Sequence, residues 1–282
     1  MINIYNPVFV NISSFSIVDL IIISIFFLSV GSFCSSVIFR LAPNSPLPLS
    51  KIRSSCPACS KKIDAINLIP LLGFMIQRGK CKFCNSNISK FYPFTEIFFL
   101  LIGILLITNY GFGLSAIVYT VIIFCFYVLF FLDYKYLYLP VYINLLIILI
   151  GITFNAKYQL FIDETFLILS IKPIFFSLYG LFFGYSSLWL INFMFKVIKK
   201  KDGIGGGDFI LFGGIGSIHG PIALPLILLI GSFLGCLYFI FSKKSSNSML
   251  PFGSFLILSS FIYFVSNLMN FSFVNYSYLQ RP

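Results

Sequence analysis

Long apolar runs separated by short polar breaks dominate the chain. Runs near 17–39, 92–109, 113–132, 137–154, 173–195, 206–220, 221–241 and 250–269 are each close to the length a helix needs to cross about 30 Å of hydrocarbon. They predict an all-α polytopic membrane protein with about eight transmembrane helices. The sixth run is short and rich in glycine, and one sizeable polar stretch, residues 40–92, interrupts the pattern. The first 16 residues contain no Lys or Arg. The first apolar run therefore lacks the basic flank of a cleaved signal peptide and is long enough to span, so it reads as a permanent helix. Residues 155–172, where Asp163 and Glu164 stand close to Phe161, Phe166, Leu167 and Ile168, fit either an interfacial segment or a loop.

Composition agrees with the pattern. The chain is 59% hydrophobic and 10% charged with a mean hydropathy of +1.00, too little polar surface to coat a soluble globule. A formal charge of +11 would suggest nucleic acid in a soluble protein, but the placement of the charges gives it another meaning. Sixteen of the 19 Lys and Arg residues fall in alternate connections, nine of them between Arg40 and Lys90. The opposite side keeps only Lys157, Lys172 and Arg281. The positive-inside rule then puts segment 40–92 in the cytosol and both termini outside. The charge serves topology, and no nucleic-acid partner is expected.

Four of the seven cysteines read Cys56-Pro-Ala-Cys59 and, after 21 residues, Cys81-Lys-Phe-Cys84. Two C-x2-C pairs at that separation match a four-thiolate tetrahedral site, and zinc is its natural occupant. Free thiols and a disulfide framework are the rivals, the second disfavoured in the reducing cytosol. Four thiolates close the coordination sphere, so the site is structural, and Lys61, Lys62, Lys80 and Lys82 would offset their charge. Cys34, Cys125 and Cys236 stand singly in apolar runs and read as small buried packing residues.

The chain has only eight carboxylates, and one beside a span is costly enough to need a reason. Asp133 ends the apolar run from Leu114 to Leu132, and Asp208 closes Gly203-Ile204-Gly205-Gly206-Gly207-Asp208. Both fall at the cytosolic face. Two carboxyls brought together at a partly dry site do not both ionise easily, so one can act as base and the other as acid, the chemistry of aspartic proteolysis. Gly205, Gly206 and Gly207 would let an extended substrate backbone approach Asp208. The alternative makes Asp208 a helix cap and Asp133 a partner of Lys135. Asp19, Asp64, Asp163, Glu164 and Asp202 read as solvated or interfacial charges, and His219, in His219-Gly220-Pro221, as a turn residue.

In order and spacing these residues resemble the type IV prepilin peptidases, membrane aspartic proteases with a G-x-G-D motif. Gly31-Ser32-Phe33 through Val37-Ile38-Phe39-Arg40-Leu41 is similar to the end of the family's first span. The cysteine pairs, with Asn67-Leu68-Ile69-Pro70 between them and Tyr92-Pro93 through Glu96 after them, resemble its zinc-binding segment. Leu132-Asp133 with Leu139-Pro140, then Gly205-Gly206-Gly207-Asp208, resemble its two catalytic motifs, and Pro251-Phe252-Gly253-Ser254-Phe255-Leu256 the start of its last span. Three positions depart from the usual pattern: Ile210 where a Lys is common, Val141 where an acidic residue is common, and Ser35 where an Asn is common.

The resemblance implies a multi-pass protein of the bacterial inner membrane. A first span at 1–39, a cytosolic zinc-binding, methyltransferase-associated segment at 40–92 and a transmembrane peptidase domain at 93–282 are expected. Asp133 and Asp208 would be the catalytic pair that removes the leader of type IV prepilins or type II secretion pseudopilins on the cytosolic side. Members with the four cysteines usually also methylate the new amino terminus, with S-adenosylmethionine as donor. No glycine-rich loop follows a strand to hold that donor, so no donor-binding residue is assigned, and Glu96 is no more than a candidate. The rival readings are a non-enzymatic zinc-loop scaffold or transporter, and a methyltransferase-only homologue. Proteases of the signal-peptide-peptidase type are a nearer rival, but their late Pro-Ala-Leu element is missing.

Overall fold

A computed structural model describes residues 15–43, 54–161, 171–242 and 249–268. Lys51, Arg53, Lys243, Lys244 and Arg281 of the charge pattern, and Asp163, Glu164 and Phe166 to Ile168, lie outside the described residues. The chain is all-α. Its helices are α1 (Ile17–Leu41), the short α2 (Leu72–Ile76), α3 (Phe91–Tyr110), α4 (Leu114–Tyr136), α5 (Val141–Tyr158), α6 (Pro173–Lys199), α7 (Gly206–His219), α8 (Leu224–Phe241) and α9 (Phe252–Leu268). A 3-10 turn, Ala65–Leu68, precedes α2. Among the described residues there is no strand, only the isolated bridges Ser55–Lys62 and Lys80–Asn87.

Each of the eight apolar runs forms a helix. Six of these, α1, α3, α4, α5, α6 and α8, are long and apolar enough to cross a membrane, and α9 is a shorter apolar helix. At 14 residues, α7 is about 21 Å long, short of a full crossing, because Gly205 starts it and Gly220, at φ +77°, ends it. The protein is a multi-pass membrane protein.

Local chemistry sets the helix ends. Ser16 and Asp19 form a reciprocal capping box on α1, with the Asp19 amide donating to Ser16 Oγ at 3.2 Å and the Ser16 amide donating to Asp19 Oδ2 at 3.0 Å. Asp19 is thus a capping residue rather than a free interfacial charge. His219 is the last residue of α7 and is buried, its Nε2 3.0 Å from Ser260 Oγ and its ring edge-on to Tyr263. The turn belongs to Gly220, the residue that takes the positive φ. Cys34 and Cys125 are buried as expected, but Cys236 is exposed.

Two compact units divide the chain, one through Val128 and one from Leu129. In the first, α1 and α3 pack closely. A Cβ at Gly31 would come within 2.8 Å of the backbone of Thr95 and Glu96, and Ile23, Phe27 and Ile107 form a core beside them. In the second, α7 packs chiefly on α6 and α5. Any side chain at Gly180 of α6 would collide with the carbonyl of Gly216, and any at Gly216 with that of Gly180. Small residues of this kind let membrane helices touch backbone to backbone. At the far end of that interface, buried Asn155 donates to Ser177 Oγ and to the carbonyls of Ser217 and Ile218.

Candidate active site

Asp133 and Asp208 both lie in the second unit, each about 5–8% exposed. Asp133 stands in the last turn of α4, and Leu137, at φ +52°, ends that helix just beyond it. Asp208 is the third residue of α7. The cap of α7 is Gly205, so Asp208 is not the capping residue itself, and the backbone of Gly205 and of Gly253 faces its carboxyl.

The first turn of α9 brings the two carboxyls to one place. A Cβ built on Gly253 would stand 2.9 Å from Asp208 Oδ1 and 3.2 Å from Asp133 Oδ2. One point thus touches both groups, which bounds the separation of those oxygens at about 6 Å. Glycine leaves that point empty. The next residue, Ser254, sends two donors to one oxygen, its amide at 2.6 Å and its hydroxyl at 2.9 Å from Asp133 Oδ2. Amides in the first turn of a helix have no partner within it, and the helix dipole favours negative charge there. Asp133 therefore sits where α9 best receives a carboxylate. Asp208 Oδ1 is buried and has no hydrogen-bond partner among the described residues. Around them Tyr134 packs edge-on to Tyr238 and Tyr238 tilts against Phe255, which ties the end of α4 to α8 and α9.

The three glycines before Asp208 do not behave alike. A Cβ at Gly206 would meet nothing within 4 Å, and one at Gly205 would meet only Asp208 Oδ2, at 3.3 Å. Gly207 instead packs on Leu139, 2.9 Å from its Cβ. Of these three, Gly205 and Gly206 leave open space beside Asp208 and Gly207 does not.

Asn192 on α6, unremarked in the sequence pattern, holds the loop that leads to Asp208. Its Oδ1 accepts from the amides of Gly203 and Ile204 at 2.8 and 3.0 Å, and its Nδ2 donates to Asp202 Oδ1 at 3.0 Å. Lys196 donates to the other oxygen of Asp202 at 3.0 Å. Those bonds to Lys196 and Asn192 hold the Asp202 carboxyl below its usual range.

In the first unit the sulfurs of Cys56, Cys59, Cys81 and Cys84 all lie within 4.8 Å of one another, and all seven cysteines are free. The two pairs repeat one design. The Ser60 amide donates to the Cys56 carbonyl and the Asn85 amide to that of Cys81, and Ser60 and Asn85 both take a positive φ. Cys56 Sγ and Cys84 Sγ are 3.8 Å apart, and a tetrahedron with arms of about 2.3 Å has edges of about 3.8 Å. This donor set can hold a metal ion. Burial raises the Cys56 thiol, but amides of Cys59 and Ala58 and the Ser86 hydroxyl bring it down to about 6. Ser86 also lowers Cys84, so these two favour the thiolate, while Cys59, despite the Lys61 amide, is pushed up to about 11 by burial and its cysteine neighbours. Glu96, the candidate for a donor site, is buried and accepts the Leu71 amide at 2.8 Å. A cleft of ≈ 560 Å³ opens beside the cluster, lined by Asp64, Ile66, Asn67, Ile76, Gln77 and Arg78 among others.

The family model described as the type IV leader peptidase family matches residues 119–240, and one described as the bacterial peptidase A24 N-terminal domain matches residues 25–110. Among curated proteins, the prepilin leader peptidase/N-methyltransferase of Neisseria gonorrhoeae is 31% identical over 265 residues, which cover 85% of this chain and 88% of the relative. The protein of that name from Legionella pneumophila is 29% identical over 267 residues, covering 86% and 89%. That from Vibrio cholerae is 28% identical over 257 residues, covering 88% and 97%. No solved structure matches.

Proposed function

Because the chain belongs to the type IV leader peptidase family, we propose that Asp133 and Asp208 are the catalytic pair with which it cuts prepilins. The enzyme removes the leader peptide of prepilins and methylates the amino terminus that cleavage exposes. The finer reading is that type IV prepilins or type II secretion pseudopilins are the substrates and S-adenosylmethionine the methyl donor. The bacterial cytoplasmic membrane is the setting, with both sites on the cytosolic side, as the distribution of Lys and Arg supports.

One observation carries the peptidase reading: two buried carboxyls from α4 and α7 meet at the gap left by Gly253. Ser254 donates twice to Asp133, which suits Asp133 to be the ionised member. The unpartnered oxygen of Asp208 suits the member that carries the proton. With a peptide laid along Gly205 and Gly206, Asp133 takes a proton from the attacking water while Asp208 protonates the scissile carbonyl oxygen. As the carbon–nitrogen bond breaks, the proton held by Asp133 goes to the leaving amine, and one hydroxyl of the gem-diol returns its proton to Asp208 to leave the new carboxylic acid. Zinc is the ion best suited to the four cysteines. When bound it supplies cross-linking of the two knuckles, with no open position for a reacting water.

The experiment is mass spectrometry of a prepilin incubated with membranes holding wild type, Asp133→Asn or Asp208→Asn, with and without S-adenosylmethionine. Leader loss with wild type alone, and an added methyl mass with the donor, are expected. Full cleavage by either variant rejects the pair.

A further inference from the structure

Within segment 54–90, which carries six basic residues against Asp64 alone, lies a short stretch of a different character. Leu68, Ile69, Leu72, Met75 and Ile76 are each 44–69% exposed. Leu72, Met75 and Ile76 are spaced i, i+3, i+4 and share one face of α2, and Leu68 and Ile69 flank its start. Such a patch needs a partner.

The hydrogen bond to Glu96 fixes its depth. Glu96 is the sixth residue of α3, so it lies about 8 Å along a helix that rises 1.5 Å per residue. With 20 residues, α3 is about 30 Å long and matches the hydrocarbon thickness with little to spare. A group bound to Glu96 is therefore below the headgroups, at the edge of the apolar slab. That group is the Leu71 amide, 2.8 Å from Glu96 Oε2, at the residue immediately before α2. The clamp is specific. Leu71 takes φ +58°, unfavourable for a branched side chain, and any side chain at Gly73 would collide with the Asn67 carbonyl. The segment is thus folded back and held at that level. Lys61, Lys62, Arg78, Lys80 and Lys82, all exposed, belong to the knuckles on either side of it.

We propose that the segment Leu68–Ile76 is an interfacial wedge: its apolar face inserts into the lipid leaflet at the N-terminal end of α3, and the flanking lysines and arginine contact anionic phospholipid headgroups. Apolar side chains beside a basic rim are what binds a helix in the plane of an anionic membrane. The cysteine cluster is then seated on the bilayer surface rather than suspended in the cytosol. This reading rests on the membrane helices and is independent of the catalytic pair.

The test uses the full chain in nanodiscs. With Trp189, the single tryptophan, changed to Phe, one tryptophan is placed at Met75→Trp or, separately, at Leu72→Trp. Leu101→Trp on the exposed face of α3 serves as the lipid reference, and free N-acetyltryptophanamide in buffer as the aqueous one. The expected result is blue-shifted emission at positions 75 and 72, with loss of intensity to shallow brominated lipid chains comparable to that at 101, and little quenching by iodide. Removing anionic lipid, or combining Lys62→Gln, Arg78→Gln and Lys80→Gln, should weaken that loss. Red-shifted, iodide-quenched emission at both positions overturns the proposal. Blue-shifted emission that bromine does not quench also overturns it, in favour of a protein partner such as a second copy. Quenching that is indifferent to lipid charge and to the triple variant rejects the headgroup contacts.

Discussion

The absence of a side chain at Gly253 is what keeps both carboxyls open to a substrate. A methyl there would lie 2.9 Å from Asp208 Oδ1 and 3.2 Å from Asp133 Oδ2, in the space a water and a scissile carbonyl must share. Gly253→Ala is expected to lower kcat by at least about a hundredfold, with normal accumulation in the membrane. Ser254→Ala loses one charge-assisted bond and keeps the amide, so about a tenfold fall in kcat with little change in KM is expected, restored in part by Ser254→Thr. An equal fall in both variants of Ser254, or a change confined to KM, would remove its role at Asp133. The two aspartates were legible in the sequence because a carboxylate at the end of an apolar run is costly. Ser254 and Gly253 were not. A Gly-Ser pair at a helix start is ordinary, and its bond to Asp133 spans 121 residues.

Among elements, the apolar runs located eight helices well, because burial of helix faces in lipid needs only length and hydropathy. The differences lie at the ends, where polar chemistry takes over. Helix α6 continues four residues beyond the expected 195 to Lys199, since basic residues suit a helix C-terminus. In the loop after it the sequence marks the glycines beside Asp208 but not what holds them in place. Its order comes from Asn192, whose side chain takes two loop amides at once. We expect Asn192→Ala to let residues 203–208 drift and to lower cleavage about ten- to a hundredfold. Asp202→Ala, which removes an exposed pair, should cost less than about threefold. The Asp202 carboxyl is held below its usual range, so its pairing is present at neutral pH and fades only as the pH falls through that lowered value. Cleavage assays of the two variants at neutral pH check the order, and equal losses would transfer the role from Asn192 to the ion pair.

For the whole molecule, the basic residues predict an orientation and the cysteines a candidate metal site, but neither pattern reveals that the chain divides into two units at a boundary within α4. The family models divide the chain near the same place, between residues 110 and 119. The cysteine quartet belongs to one unit and the aspartate pair to the other. If the methyl transfer depends on the first unit and cleavage on the second, the two activities should separate by substitution. Wild type should carry about one zinc per chain by metal analysis, and Cys81→Ser should lose it together with methylation, because three thiolates no longer close the site. Leader removal should stay within about threefold of wild type, since the carboxyl pair and Gly253 and Ser254 beside it all belong to the second unit. The converse arm uses a pilin whose leader is already gone. Asp208→Asn should methylate that substrate normally while leaving the full prepilin intact. If Cys81→Ser instead loses cleavage in proportion to its metal, the quartet braces the catalytic pair as well, and the two units act as one enzyme rather than as two joined in sequence.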